Sequence, residues 1–144
     1  MLKKIITLNE TAMDIQSTNT QIETLNEQRD YLTLLALLTM AINHNPDHYD
    51  FYRYKADTLI LLLENKDSYD SLDISGEIES FLGTLSEQKD SCKEEHYKSY
   101  YEGLWHYLMG IQYHFKEDKD KVSYHLAEAQ QKGIKSDKIE KYLN

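Results

Sequence analysis

The chain has 144 residues, of which 16 are basic and 25 acidic, with 40% hydrophobic residues, one proline, five glycines and one cysteine. That length fits one domain, the lone Cys92 excludes an internal disulfide and a thiolate metal cluster, and a formal charge of -9 argues against a phosphate backbone as ligand. The acidic excess sits in residues 47–95, which carry 5 basic and 13 acidic groups.

The opening MLKKIITL has no small-residue cleavage site and is followed at once by polar residues, so no signal peptide is expected. Thr7 with Glu10 three residues later forms a capping-box pattern, which predicts a helix start there. Leu8, Ala12, Ile15, Ile22 and Leu25 recur at helical spacing, with an interruption expected near residues 17–20, where QSTNT is polar. Tyr31 to Ile42 is apolar almost all round, which predicts a helix buried on several sides. Asn45-Pro46-Asp47 ends it, because the proline ring disfavours helix at the residue before it.

Phe51, Tyr52, Ala56, Leu59, Ile60, Leu62 and Leu63 then mark a helix closed by ENKDSYD, and Ile74, Ile78, Phe81, Leu82 and Leu85 a shorter one. SEQKDS (86–91) reads as a hydrophilic connection. The segment from about residue 91 to 116 has seven aromatic residues without period-two alternation, which predicts a long helix. KEDKD is a charged turn, Val122, Leu126 and Ala129 mark a further helix, Gly133 stands where a left-handed cap is wanted, and Ser136 caps a last short helix through Leu143. The sum is an all-α chain of about seven helices joined by short links, and so of antiparallel hairpins. The longest mid-chain apolar run, Leu59 to Leu63, is far short of the roughly 20 residues a membrane span needs.

Segments 29–46 (RDYLTLLALLTMAINHNP) and 106–134 (HYLMGIQYHFKEDKDKVSYHLAEAQQKGI) carry a recurring pattern. Met109-Gly110, Tyr113, Asp118, Val122, Leu126 and Ala129 in one, and Asp30-Tyr31, Leu34, Leu38, Ala41 and Asn45-Pro46 in the other, resemble the tetratricopeptide repeat. The resemblance implies a single domain over 1–144 with degenerate repeats at about 8–46, 47–88 and 91–134 and a capping helix at 136–143. It also implies that these pairs stack as a short right-handed superhelix. The spacing between the two best units exceeds two family periods by about twenty residues, which makes the middle repeat irregular.

In that family the first helix of each pair lines a concave groove, so the resemblance places ligand contacts at Asp50, Arg53, Asp57, Ile60 and Leu61, and at Leu104, Tyr107, Ile111, His114 and Phe115. Asp50, Arg53, Asp57, Tyr107, Ile111, His114 and Phe115 are the candidate partner-binding residues. The family's clamp for chaperone C-terminal carboxylates is not assembled, because Asn19, Glu23, Arg53 and Asp57 stand at the comparable places.

His44, His48, His96, His106, His114 and His125 are scattered, Pro46 separates the closest pair, and no HExxH occurs, so no metal site is expected. Cys92 lacks a catalytic signature, and Gly76 and Gly83 lack the phosphate-cradling pattern, so neither an enzyme nor a cofactor is indicated. The expectation is a non-enzymatic, cytoplasmic adaptor that holds a protein or peptide, with no nucleic acid and no membrane. Two alternatives remain: an acidic inhibitor or immunity-type protein neutralising a basic partner, and a homo-oligomer joined through the aromatic helix.

Overall fold

A computed structural model describes residues 14–143 and contains seven α-helices and one 3-10 turn among them, with no strand. The Thr7–Glu10 capping box, Leu8 and Ala12 lie outside the described residues. The chain divides into two compact units, Met1–Asn65 and Lys66–Asn144. The boundary falls inside the stretch 47–88 expected as the middle repeat, so the two helices of that stretch belong to different units.

The first unit holds α1 (Ile15–Glu27), α2 (Tyr31–His44) and α3 (Asp50–Glu64). Asp14 caps α1 by accepting from the Gln16 amide at 3.3 Å. The helix runs unbroken through 17–20, where an interruption was expected. Thr20 donates to the Gln16 carbonyl and Thr24 to the Thr20 carbonyl, so polar side chains in the stretch spend their hydroxyls on the helix itself, while Thr18 is buried.

Each of α1 and α2 packs on its sequence neighbour, and the three-residue link between them requires an antiparallel pair. Burial of α2 on several sides is not what forms. Leu34, Leu35, Leu38, Ala41 and Ile42 go inside, whereas Leu32 and Met40 stay 43% and 45% exposed. The stripe Leu32-Ala36-Met40 at i, i+4, i+8 is exposed. Helix α2 ends before Pro46 as read from sequence: it stops at His44, and Tyr52 on α3 donates its hydroxyl to the Pro46 carbonyl at 2.8 Å.

The second unit holds the 3-10 turn Lys66–Ser68, then α4 (Ile74–Ser91), α5 (Glu95–Phe115), α6 (Lys119–Gln131) and α7 (Asp137–Leu143). Asp73 caps α4 by accepting from the Gly76 amide at 3.0 Å. Asp73→Ala is expected to lower the stability of this unit by about 1 kcal/mol, read as a drop in the urea midpoint of the full chain. SEQKDS is helical rather than a connection. Its residues contain no glycine or proline, so the helix continues beyond its last buried residue, Leu85, until Ser91.

The long α5 is the centre of the unit, packed on α4, α6 and α7. It comes close to α6 at Gly110, where an added Cβ would lie 2.6 Å from Cδ2 and 2.8 Å from Cγ of Leu126. Gly133, with φ +93°, takes the left-handed cap after α6, and the following amides of Gly133 and Ile134 bond back to the Gln130 and Ala129 carbonyls.

The turns of the α1–α2 and α5–α6 hairpins are built alike. Arg29 (φ 56°) and Glu117 (φ 61°) adopt the left-handed conformation without being glycine. After each comes an aspartate whose amide closes the first helix, Asp30 onto the Leu25 carbonyl and Asp118 onto the Tyr113 carbonyl, both at 3.0 Å. The same aspartate then caps the second helix through its carboxylate, at 3.3 Å from the Thr33 and Lys121 amides.

Candidate partner-binding groove

The seven candidate residues divide between the units. In the first, Asp50 and Arg53 are exposed on the opening turns of α3 and Asp57 is half-buried one turn later, while Ile60 is buried. In the second, His114 is exposed and Phe115 half-buried at the end of α5. Tyr107 and Ile111 are corrected: at 1% and 0% exposure they are packing residues, as is Leu104.

The physical reason is a cover supplied by the chain itself. Leu104, Tyr107, Ile111 and His114 form one helical stripe, and the segment from Ile134 to Leu143 lies along it. An added Cβ at Gly103 would meet Ile134 Cγ1 at 2.8 Å, Tyr107 Oη is 3.2 Å from Ser136 Oγ, and the His114 and Tyr142 rings lie 4.4 Å apart. The face that the repeat pattern would offer to a ligand is occupied by α7 and the residues before it.

At the His114 end this cover is incomplete. An open groove of about 680 Å³ runs between the end of α5, the start of α6 and α7, lined among others by His114, Val122, Ser123, Tyr142 and Leu143. The Glu117–Asp118 turn and Lys119 form one bank, and Lys141, whose Nζ is 5.4 Å from the Tyr142 ring centre, belongs to the other. Two carboxylates and two ammonium groups balance in charge around aromatic and aliphatic surface. Such a lining can take a polypeptide segment through ring contacts and polar rim bonds without selecting strongly for either sign of charge.

Sequence reasoning missed a second cluster. His106 on α5 and His125 on α6, two of the histidines read as scattered, face each other with their Nδ1 atoms 2.8 Å apart. Tyr113 stacks on His125 with ring centres 5.6 Å apart and planes at 5°, and the Trp105 ring centre lies 5.1 Å from that of His106 and 5.8 Å from that of His125, with the planes steeply crossed. Burial holds the pKa of both below the ordinary 6.5, and for His125 a charge on His106 would lower it further. The signal was available in the spacing: His106 precedes Gly110 by four residues and His125 lies between Val122 and Ala129 at +3 and -4, so each occupies the apolar face of its helix. Among the described residues no group of three or more metal-binding side chains comes together. No helix among them is long and apolar enough to cross a membrane.

No family model matches the chain, and no match is found among curated proteins or solved structures.

Proposed function

We propose that this protein is a non-enzymatic, TPR-like adaptor, its helix pairs stacking as a short right-handed superhelix, and that it holds a polypeptide segment in the groove beside His114 and Tyr142. The observation that carries the reading is the open groove of about 680 Å³ in which these rings meet an aliphatic floor and a charge-balanced rim. Aromatic side chains bury large areas with few rotors to freeze, which suits recognition of a peptide. The near-identical Arg29-Asp30 and Glu117-Asp118 turns support a recurring hairpin unit. A single half-buried cysteine suits a reducing, cytoplasmic setting.

Display of a random peptide library against the full chain tests the proposal. Enriched peptides should lose roughly tenfold in affinity on His114→Ala or Tyr142→Ala and should respond weakly to salt. Peptides that bind both variants as tightly as the original chain would place recognition elsewhere.

A second reading rests on acidic side chains exposed in each unit by itself, Asp47 and Asp50 in the first and Asp67 and Asp70 in the second, which suit an acidic inhibitor of a basic partner. Enrichment of lysine- and arginine-rich peptides whose affinity collapses at high salt would favour it over the groove.

A further inference from the structure

The meeting of two Nδ1 atoms at 2.8 Å across the α5–α6 seam has a consequence set by proton count. When both rings are neutral, one presents Nδ1–H and the other a bare lone pair, and a hydrogen bond joins them. With one added proton the pair keeps a donor and an acceptor, and the bond becomes charge-assisted. With two added protons each Nδ1 carries hydrogen, no acceptor remains, and like charges face each other in a seam where the two residues are 7% and 9% exposed.

We infer that the His106–His125 pair is an acid-operated latch, holding α5 against α6 while it carries at most one added proton and releasing that seam when both rings are charged. The position suits the role, because these are the two helices of the unit that pack most extensively, and His125 is next to Leu126, the residue seated on Gly110. A cleft of about 160 Å³ bordered by His106, Trp105, Glu102 and Lys89 reaches His106 from outside, so a proton can arrive at that ring without prior unfolding.

The groups around the pair come from three helices and the segment after α6. Glu102 and Tyr113 stand on α5, Lys121, Tyr124 and Glu128 on α6, Lys89 on α4, and Lys132 just beyond α6. Glu128 and Glu102 favour a charge on His106 while Lys132 and Lys89 oppose it, and Glu102 is itself paired with Lys132 at 3.5 Å. At His125, Glu128 favours the charge and Lys121 opposes it. The surrounding charges offset one another, and desolvation is the largest influence on both rings.

Folded values below 6.5 mean that the unfolded chain binds more protons than the folded chain on the acid side. The pair's contribution to stability is therefore complete above 6.5 and is lost as the pH falls through the folded values. Trp105, the single tryptophan, abuts both rings and reports on the seam by its fluorescence.

The test is urea unfolding of the full chain, followed by Trp105 fluorescence at about pH 7.5 and about pH 5, beside His106→Gln, which can hydrogen-bond but cannot charge. Going to acid should raise the unfolding constant of the original chain at least about tenfold more than that of the variant, since carboxylate contributions are common to both. Imidazole NMR titration of the unaltered chain provides a second measurement that does not depend on the variant folding. It should show two rings titrating below 6.5 in separated steps. Independent titration of both rings at or above 6.5, or equal acid losses in the two chains, would overturn the latch.

Discussion

Gly110→Val is expected to destabilise the Lys66–Asn144 unit by about 2–4 kcal/mol, among the largest effects of any single change in it. The new Cβ alone would stand 2.6 Å and 2.8 Å from Leu126, with His125 Cβ a further neighbour at 3.4 Å. Leu126 is fully buried, so it has no solvent to swing into, and the valine methyls would widen the gap between α5 and α6. Against this stands a helix-propensity gain of about 0.5 kcal/mol on replacing glycine, too small to change the sign. Urea unfolding gives the loss directly. Adding Leu126→Ala to the valine variant should cost less than Leu126→Ala alone, because the same space is being contested. A valine variant as stable as the parent would show that the helices do not approach as described.

Tyr52→Ala should cost the Met1–Asn65 unit about 3–5 kcal/mol, whereas Tyr52→Phe should cost only about 1 kcal/mol. The ring is fully buried on α3, and its hydroxyl donates to the Pro46 carbonyl at 2.8 Å. Alanine removes the ring and leaves a cavity. Phenylalanine keeps the packing and strands one carbonyl in the turn that joins α2 to α3. Far-UV circular dichroism during denaturation, with amide exchange in α2 and α3, separates the two outcomes. Similar losses for both variants would mean that the hydrogen bond, not the packing of the ring, dominates there.

Helix positions were legible because periodicity and breakers acted locally. Pro46 and Gly133 ended or capped helices where their backbone preferences require. What local chemistry cannot report is which faces find partners. The apolar sequence of α2 gave no sign that Leu32 and Met40 would stay outside, since their burial depends on how many helices surround them. In the same way, Tyr107 and Ile111 carry the spacing of a groove face, and only the return of residues 134–143 along α5 makes that face interior. His114 stays exposed although the Tyr142 ring centre lies 4.4 Å from its own. The histidine pair required two helices to be aligned side by side, although each ring's place on an apolar face was visible beforehand. The turns at Arg29 and Glu117 were hidden for another reason: their left-handed residues are not glycine, so no composition signal marked them.

Because Asp30 and Asp118 each end one helix and start the next, the two helices of either hairpin have no independent ends at the turn. Fraying of the last turn of α1 displaces the residue that caps α2, and fraying of α5 does the same to α6. The turn therefore transmits local melting from one helix to its neighbour, and each hairpin is expected to open at this end as one cooperative element.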